Sequence, residues 1–270
     1  MKKLIYILVI AITFSSCNEY QKALKNEDIA VKFKLGSELF DAGKFSKANR
    51  LFTQIAPKYR GKPQAEKLMY MYSKTFYEMR EYYNANYQME RFVSAYPNSE
   101  KVEEIAFLGA KSYYHIPPVY SKEQKETILA IEKLQGFINS FPESEYLAEA
   151  NTMVKELDYK LEKKAYEIAK QYHTIAPHNR DYEAAIKAFD NFIIDFPGTS
   201  FKEDAMFYRL DSAYQLAMNS VEWKKEERIK KAIVLYNSFK SRFKESSYIE
   251  EINKMNKDLI ELQKSFNTKS

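Results

Sequence analysis

The stretch ANYQMERFVSAYP, residues 85–97, sets the pattern for the whole chain. Its apolar residues recur at steps of four, three and four, which places them on one face of an α-helix. These residues are Ala85, Met89, Phe92 and Tyr96. The proline that follows stops the helix, because it has no N–H group and clashes with a continuing turn. The stretch therefore predicts an amphipathic helix with one small residue on its buried face and a defined end.

The same sequence motif, which we call the phrase, occurs four more times. Each copy has an alanine, two apolar residues and a final aromatic residue. The copies are Ala48, Phe52, Ile55, Tyr59; Ala130, Leu134, Phe137, Phe141; Ala185, Phe189, Phe192, Phe196; and Ala232, Tyr236, Phe239, Phe243. Repetition of one helical unit is typical of solenoid proteins. We predict that each phrase is the second helix, B, of a hairpin, and that its alanine lets the first helix, A, approach closely.

The segments before the phrases share a weaker pattern, in which an aromatic residue precedes a small residue or a leucine. These A/B pairs resemble tetratricopeptide repeats. Residues 145–173 contain no proline or glycine and predict one long helix, broken at residues 175–179. We expect Ser99, Ser144, Thr199 and Ser246 to accept from free N–H groups of the following A helices. The predicted fold is all-α: a superhelical array of five tetratricopeptide-like helix pairs plus a C-terminal helix from about residue 248 to 264.

The amino-acid composition of the chain argues against several classes of function. The chain has 270 residues with only 6 glycines, which argues against glycine-rich phosphate loops. Its net charge of +5 is spread over both signs without a basic block, so we predict no nucleic-acid binding. Cys17 is the single cysteine, which excludes an internal disulfide. No metal or cofactor motif is present, and we predict neither a cofactor nor an enzymatic activity.

The N-terminus predicts export. Lys2 and Lys3 precede an apolar run at residues 4–14, too short to span a bilayer as an ordinary helix. Ser15-Ser16-Cys17 resembles the lipobox of bacterial lipoproteins, in which the cysteine carries lipid chains; a signal peptide without lipidation is the alternative. The predicted organisation is a signal peptide (1–16), a lipid-anchored tether (17–27), the repeat domain (28–266) and a disordered tail (267–270).

The repeats, the lipobox and three aromatic-Pro-x-Ser/Thr steps together resemble the BamD family, lipoproteins of the outer-membrane β-barrel assembly machinery. The steps are residues 96–99, 141–144 and 196–199. The resemblance implies a lipid-anchored protein on the periplasmic face of the outer membrane. It implies that the C-terminal repeats bind the periplasmic domains of a BamA-like barrel protein. It also implies that the N-terminal repeats bind unfolded outer-membrane protein precursors, and that no chemistry is catalysed.

Eight aromatic residues of the A helices are candidates for a partner-binding groove, since aromatic side chains give a large apolar area at low entropic cost. They are Phe33, Phe40, Tyr70, Tyr77, Phe107, Tyr114, Tyr166 and Tyr208. Packing between helices is the alternative for each of them. Trp223 is either a partner anchor or a packing residue. We expect the three histidines, His115, His173 and His178, to be surface or capping residues.

Two other functions fit the same fold. One is a cell-envelope scaffold that coordinates cell-wall synthesis. The other is a glycan-binding lipoprotein that pairs with an outer-membrane importer, although such proteins are usually much longer. The proteins recovered with this chain would distinguish these functions from barrel assembly.

Replacing Cys17 by alanine tests the lipid anchor. We expect Cys17→Ala to move the protein from salt-washed membranes to the soluble fraction, because each buried CH₂ of an acyl chain contributes about 0.8 kcal/mol to membrane binding. Fractionation and immunoblotting measure the distribution. Retention of the variant on washed membranes would show that something other than lipidation holds the chain there.

Overall fold

The computed structural model describes residues 19–267, and every regular element in that range is helical. The all-α prediction is therefore confirmed. The chain forms two compact units. The first contains the described residues up to Pro118 together with Glu123–Leu157, and the second contains Val119–Lys122 and the described residues from Asp158 onward.

The first unit holds an N-terminal helical segment and three helix pairs. Its elements are α1 (residues 19–25), α2 (Ile29–Asp41), α3 (Phe45–Ile55), a 3₁₀ turn (Ala56–Tyr59), α4 (Ala65–Glu78), α5 (Tyr82–Ala95), α6 (Val102–Tyr114) and α7 (Lys125–Ser140). The A helices are α2, α4 and α6, and the B helices are α3, α5 and α7. Each A helix packs against its own B helix, and α4 and α6 also pack against the B helix of the preceding pair.

The second unit holds the fourth and fifth pairs and a final helix. Helix α8 (Leu147–Asn179) begins in the first unit, and its residues from Asp158 onward belong to the second. The remaining elements are α9 (Tyr182–Asp195), α10 (Lys202–Met218), α11 (Glu222–Arg242) and α12 (Ile249–Asn267). Helices α8 and α10 are the A helices, and α9 and α11 are the B helices.

The repeated phrase forms the seam of every pair. Its five alanines and the residues four and seven positions beyond them are all buried. The alanines themselves, Ala48, Ala85, Ala130, Ala185 and Ala232, have no exposed surface. A methyl side chain at these points lets the two helix backbones approach closely, while the larger residues fill the space on either side. The predicted pairing of helices is thus confirmed.

Four B helices end in the same way. The N–H of the final aromatic residue donates to the carbonyl of the aromatic residue four positions earlier, and the two rings lie 5.2–5.5 Å apart. The final residues are Tyr96, Phe141, Phe196 and Phe243. Phe243 is followed by Lys244 instead of proline and still adopts the same backbone conformation. The aromatic pair therefore accompanies the helix end even where proline is missing.

A hydroxyl group orders the turn before the next helix. Ser99, Ser144, Thr199 and Ser246 each accept a hydrogen bond from the backbone N–H two residues ahead, at 3.0–3.1 Å. In each case the donor is the residue immediately before the helix, and α6 and α10 have no side-chain cap hydrogen bond, so the predicted capping of the helices is wrong. The hydroxyl instead orders the turn that leads into the helix.

Three A–B turns need a left-handed residue. Gly43 occupies this position in the first pair with φ of 69°, at no steric cost. Arg80 and Arg180 occupy it in the second and fourth pairs, each with φ of 60°. An L-residue with a side chain is strained in this region by about 1–2 kcal/mol.

Helix α8 is longer than predicted. It spans 33 residues and includes Pro177, so the predicted break at residues 175–179 is wrong. Pro177 removes only one backbone donor, and the chain leaves the helix shortly afterwards, at the left-handed residue Arg180. A proline this close to a helix end disturbs a single hydrogen bond and does not stop the helix.

The predicted polar tether also differs from the structure. Residues 19–25 form α1, and its Tyr20 and Ala23 are buried in the core of the first unit. The ring of Tyr20 lies 5.3 Å from the ammonium group of Lys47. Tyr20 and Ala23 are three residues apart and therefore lie on the same face of α1, which is apolar enough to dock on the first pair.

Two further predictions fall at the chain ends. The predicted signal peptide, Cys17 and the last three residues lie outside the described residues, and Asn267 is the final residue of α12. Within residues 19–267, none of the helices has the length and hydrophobicity that a bilayer span requires.

Gly36 provides a direct test of the close helix crossing. A Cβ atom at this position of α2 would lie 2.5 Å from Cε1 of Phe52, whose ring is fully buried on α3. We expect Gly36→Ala to lower the free energy of unfolding by about 1–2 kcal/mol, because overpacking forces the ring or the backbone to move. Urea denaturation followed by far-UV circular dichroism measures the change.

Gly136 is the matched control. It lies in α7 with nothing within 4 Å of its ideal Cβ position. Here the substitution Gly136→Ala should raise stability by about 0.5–1 kcal/mol, since alanine favours the helix more than glycine does. An equal gain in both variants would contradict the close crossing.

Candidate partner-binding surfaces

The structure separates the eight predicted groove residues into two groups. Phe107 and Tyr166 are buried, with 2% and 4% of their surface exposed. The other six, Phe33, Phe40, Tyr70, Tyr77, Tyr114 and Tyr208, are half-buried. Packing between helices is therefore the better supported alternative for Phe107 and Tyr166, and a binding role for the other six stays a prediction.

A repeated aromatic stack explains the buried positions. Tyr146, at the start of the helix after the third pair, stacks on Phe107 with ring centroids 4.5 Å apart. Phe201 stacks on Tyr166 at 4.7 Å in the same way. In both cases the stacking ring comes two residues after the Ser or Thr of the turn, and its N–H donates to that hydroxyl. Each stack therefore fastens an A helix to the helix that begins after its pair.

In the fifth pair the stacking residue is Phe207, one position before the predicted candidate Tyr208. Tyr248 stacks on Phe207 with ring centroids 3.9 Å apart, so Phe207 occupies the position equivalent to Phe107 and Tyr166. Tyr208, predicted there, instead lies 5.0 Å from the ring of His173 and packs 6.1 Å from Phe189. Phe207 and Tyr208 are adjacent and both aromatic, so the sequence alone does not show which of them takes the stacking position.

The second pair lacks the stack. Lys101 takes the place of the stacking ring, and its ammonium group lies 5.5 Å from the centroid of Tyr70. The Tyr70 hydroxyl lies 3.1 Å from both carboxylate oxygens of Glu104, and Lys74 binds the same carboxylate at 2.6 Å. We call these four residues the Tyr70 cluster. Lysine ammonium groups thus lie over the Tyr70 ring where the third, fourth and fifth pairs have a stacking ring, and the Phe92 ring packs 6.4 Å from Tyr70.

Charge pairing in the cluster shifts two pKa values. Burial works to raise the pKa of Glu104, but hydrogen bonding to Lys74 and its positive charge outweigh burial, so the pKa is lowered. Burial likewise works to lower the pKa of Lys74, and the bonds to Glu104 and Tyr70 raise it instead. Both residues are therefore held in their charged forms at neutral pH.

The predicted groove residues Phe40, Tyr77 and Tyr114 lie at the ends of the A helices, next to the A–B turns. Phe40 meets Phe45 edge to face at 5.6 Å, and Tyr77 meets Tyr82 in the same manner at 5.9 Å. The Tyr114 hydroxyl donates to the carboxylate of Glu156. That hydrogen bond, assisted by burial, raises the pKa of Tyr114 to about 12. These contacts fix the turns and leave only part of each ring exposed.

Consecutive B helices form a second kind of surface. Between them, over the intervening A helix, lies a groove in three equivalent places. The α3–α5 groove has a volume of about 450 Å³ and the α5–α7 groove about 510 Å³, both in the first unit. The α9–α11 groove of the second unit has a volume of about 380 Å³.

Charged side chains bridge two of the three grooves. Lys133 and Glu90 form an ion pair of 2.6 Å across the α5–α7 groove, and the Tyr113 hydroxyl donates to the same carboxylate at 3.0 Å. Arg228 pairs with Glu183 across the α9–α11 groove. The rest of the α9–α11 groove is largely apolar, lined by Ile186, Leu216, Val234 and Leu235 among others.

The α3–α5 groove is not bridged. Arg60 and Arg91 line it, and within residues 19–267 neither forms an ion pair. The Oε1 atom of Gln88, another lining residue, is buried without a hydrogen-bond partner in the described structure. The aromatic wall consists of Tyr59, Tyr72 and Tyr96. Free donors beside apolar rings suit a peptide with exposed carbonyl or carboxylate oxygens.

Sequence reasoning missed this groove. Its one local signal was Arg60, which stands where three other copies of the phrase have proline. Arg91 lies within the second phrase and looks like an ordinary surface residue of an amphipathic helix. That the two arginines face one groove depends on the packing of α3 against α4 and of α4 against α5, which no local pattern states.

His173, Asp211 and Ser212 resemble a catalytic triad by composition only. His173 lies 3.0 Å from the Ser212 hydroxyl and 3.4 Å from Asp211. The serine is fully buried and donates to the Tyr208 carbonyl, so the histidine does not accept its proton. His173 is thus half-buried between α8 and α10 and not a surface residue, whereas His115 and His178 are exposed. No group of three or more potential metal ligands occurs within the described residues.

These features define the class: an all-α, tetratricopeptide-like helical repeat protein with grooves between successive B helices. Residues 26–178, more than half of the chain, match the family described as "YfiO: Outer membrane lipoprotein". The chain therefore belongs to the YfiO family of outer membrane lipoproteins.

Two relatives carry the name that the resemblance suggested. "Outer membrane protein assembly factor BamD" of Caulobacter vibrioides is 21% identical over 191 residues, which cover 71% of this chain and 61% of that protein. "Putative outer membrane protein assembly factor BamD" of Aquifex aeolicus is 27% identical over 183 residues, covering 68% of this chain and 56% of that protein. The chain thus spans about three fifths of these relatives, and the resemblance to the BamD family is confirmed.

A solved structure of TPR-like repeats, from a putative kinesin light chain of Podosopora anserina, is 13% identical to this chain. It covers 81% of this chain and 97% of its own, with a TM-score of 0.32. The superposition is loose, and the fold rests on the helix pairs described above.

The Tyr70 cluster predicts a pH-dependent contribution to stability. Because folding lowers the pKa of Glu104, its charge stabilises the fold above the unfolded value of about 4.3, and this is lost as pH falls through the folded pKa. We expect Glu104→Gln to lower the free energy of unfolding by up to about 1 kcal/mol at pH 7, since the pair is partly hydrated. The difference from the unsubstituted protein should shrink towards zero near pH 3, as measured by urea denaturation.

Glu143→Gln is the control, since Glu143 is exposed and forms no ion pair with any described residue. It should leave stability unchanged at both pH values. A loss in Glu104→Gln that is the same at pH 7 and pH 3 would show that charge pairing is not the cause.

Proposed function

We propose that this chain is a lipid-anchored scaffold for the assembly of β-barrel proteins in the outer membrane, and that it acts by binding other proteins without catalysing a covalent reaction. Membership of the YfiO family of outer membrane lipoproteins carries this proposal. The names of the two relatives, both outer membrane protein assembly factors, support it. The lipid at Cys17 and the periplasmic face as the location are parts of the same proposal.

We assign unfolded barrel precursors to the first unit. Strands of such precursors alternate apolar and polar side chains and expose unpaired backbone carbonyls. The α3–α5 groove offers matching chemistry, because its tyrosine rings supply apolar contact and Arg60 and Arg91 supply unpaired donors. A peptide carboxylate would satisfy an arginine in a bidentate way, which adds geometric selectivity.

The Tyr70 cluster is the second candidate surface of the first unit. The ammonium groups of Lys74 and Lys101 lie over the half-buried Tyr70 ring, and a peptide that displaces Lys101 reaches this ring while the Lys74–Glu104 pair between α4 and α6 stays intact. The ion pair between Lys74 and Glu104 holds the cluster in place when no partner is bound. The half-buried residues Phe33, Phe40, Tyr77 and Tyr114 extend this candidate surface along the A helices.

We assign the periplasmic domains of a BamA-like barrel protein to the second unit. The α9–α11 groove supports this assignment, since it is largely apolar and Val234, one of its lining residues, is 65% exposed. Apolar surface that remains exposed in the free chain is typical of protein contacts. The paired charges of Arg228 and Glu183 then lie at the edge of the contact, where they would favour correct orientation more than affinity.

Co-purification from the native membrane tests the function. The outer membrane is extracted with a mild detergent, the protein is captured through a C-terminal tag, and recovered proteins are identified by mass spectrometry. We expect a large barrel protein with periplasmic repeat domains, together with unfolded barrel precursors. Recovery of cell-wall enzymes or of a glycan importer, with no such barrel protein, would contradict the proposal.

Matched arginine variants in the same experiment test the α3–α5 groove. The double variant Arg60→Ala/Arg91→Ala should retain the large barrel protein and lose most of the precursor, because a lost charge-assisted hydrogen bond weakens binding by about ten-fold or more. Arg50→Ala, an exposed residue of α3 outside the groove, should retain both. Equal precursor recovery with the unsubstituted protein, the double variant and Arg50→Ala would show that the α3–α5 groove does not bind the precursor. The Tyr70 cluster would then be the remaining candidate.

A further inference from the structure

The turn between α10 and α11 exposes the largest apolar side chain of the molecule. Trp223 lies in the first turn of α11 with 80% of its surface in water. Val221, two residues before it, is 56% exposed. Trp223 lines none of the grooves described above. Most tryptophans in folded proteins are largely buried, so this position carries apolar surface that the fold itself does not use.

Some of the charged residues near Trp223 form ion pairs, and others do not. Glu226 and Glu227 bind Lys230 and Lys231 one turn further along α11, and Arg228 binds Glu183 of α9. Lys224 and Lys225 form no ion pair with any residue between 19 and 267. The ammonium group of Lys224 lies 4.7 Å from the centre of the Trp223 ring. With Glu222 included, the tip carries one net positive charge beside its exposed ring.

This combination fits a phospholipid surface better than a protein pocket. A tryptophan that anchors a protein contact is normally surrounded by a ring of further contacts that exclude water. Here the large exposed apolar side chains at the turn are Trp223 and Val221. Tryptophan rings prefer the head-group region of a bilayer, where the apolar body and the polar N–H are both satisfied. Lysines next to the ring then reach the lipid phosphates.

We propose that the α10–α11 tip, made of Val221, Trp223, Lys224 and Lys225, inserts the Trp223 ring into the head-group region of an anionic phospholipid membrane. A weak contact is sufficient, because a chain already held at a membrane by an anchor meets the lipid at high effective concentration. The tip would then orient the second unit relative to the bilayer. This contact does not require barrel assembly, although the high effective concentration rests on the lipid anchor proposed at Cys17.

Trp223 is the only tryptophan of the chain, so intrinsic fluorescence reports this ring alone. The full protein is mixed with vesicles of phosphatidylethanolamine and phosphatidylglycerol, whose acyl chains carry bromine atoms close to the glycerol. We expect the emission to shift to shorter wavelength and to be quenched by the brominated lipid. In Lys224→Ala/Lys225→Ala, the lipid concentration that gives half of the quenching should rise at least about five-fold, the effect of one lysine near an anionic surface.

A displaced tryptophan controls for general proximity to the vesicle. In Trp223→Phe/Ile194→Trp the probe moves to an exposed position on α9, where Ile194 is 73% exposed. This variant should show little quenching. The proposal is overturned if Trp223 keeps the emission of a hydrated ring while the protein floats with the vesicles, or if both probes are quenched equally. It is also overturned if the ring becomes buried only when a barrel protein is added, since the tip would then be a protein contact.

Discussion

Close approach of two helices at a single small side chain is the constraint on which the rest of this structure depends. Each pair brings an alanine of its B helix, fully buried in all five copies, against the A helix of the same hairpin. In the first pair the A helix also has no side chain at the crossing, because the residue that faces the ring of Phe52 is Gly36. Such a seam tolerates little added volume, because interiors are packed to the density of organic crystals.

Aromatic residues then join one pair to the next. A ring placed two residues after the turn hydroxyl stacks on the A helix of the preceding pair, as Tyr146 does on Phe107 and Phe201 on Tyr166. The hydrogen bond to the hydroxyl orders the turn before the new helix, and the aromatic stack fixes how that helix packs. One short sequence, an aromatic residue followed by Pro-x-Ser/Thr-x and a second aromatic residue, thus ends one helix and begins another.

The candidate binding surfaces lie where this repeat is interrupted. Lys101 replaces a stacking ring in the second pair, so the Tyr70 ring lies under lysine side chains. Arg60 replaces the proline after the first phrase and lines the α3–α5 groove with a free charge. The regular copies use their aromatic residues for packing, so they have little left for a partner. In a solenoid of similar units, departures from the consensus are where specific binding can arise.

Helical periodicity was sufficient to predict the fold from sequence, because each phrase keeps its small residue and its apolar residues on one face. It was not sufficient for features that depend on distant contacts. Phe207 and Tyr208 are adjacent, and only the ring of Tyr248 shows which of them is the stacking residue. Pro177 seemed to end a helix that in fact continues to Asn179. The shared groove of Arg60 and Arg91 follows from packing between pairs, which a local pattern does not contain.

Depletion of the protein in its own cell, followed by quantitative mass spectrometry of the outer membrane, tests the central claim most directly. A scaffold for barrel assembly predicts that β-barrel proteins fall together as a class, while lipoproteins that need no barrel assembly stay at their normal level. Unchanged barrel proteins, with altered cell-wall composition or loss of one importer, would contradict barrel assembly and leave the helical repeat architecture as the part of the account that stands.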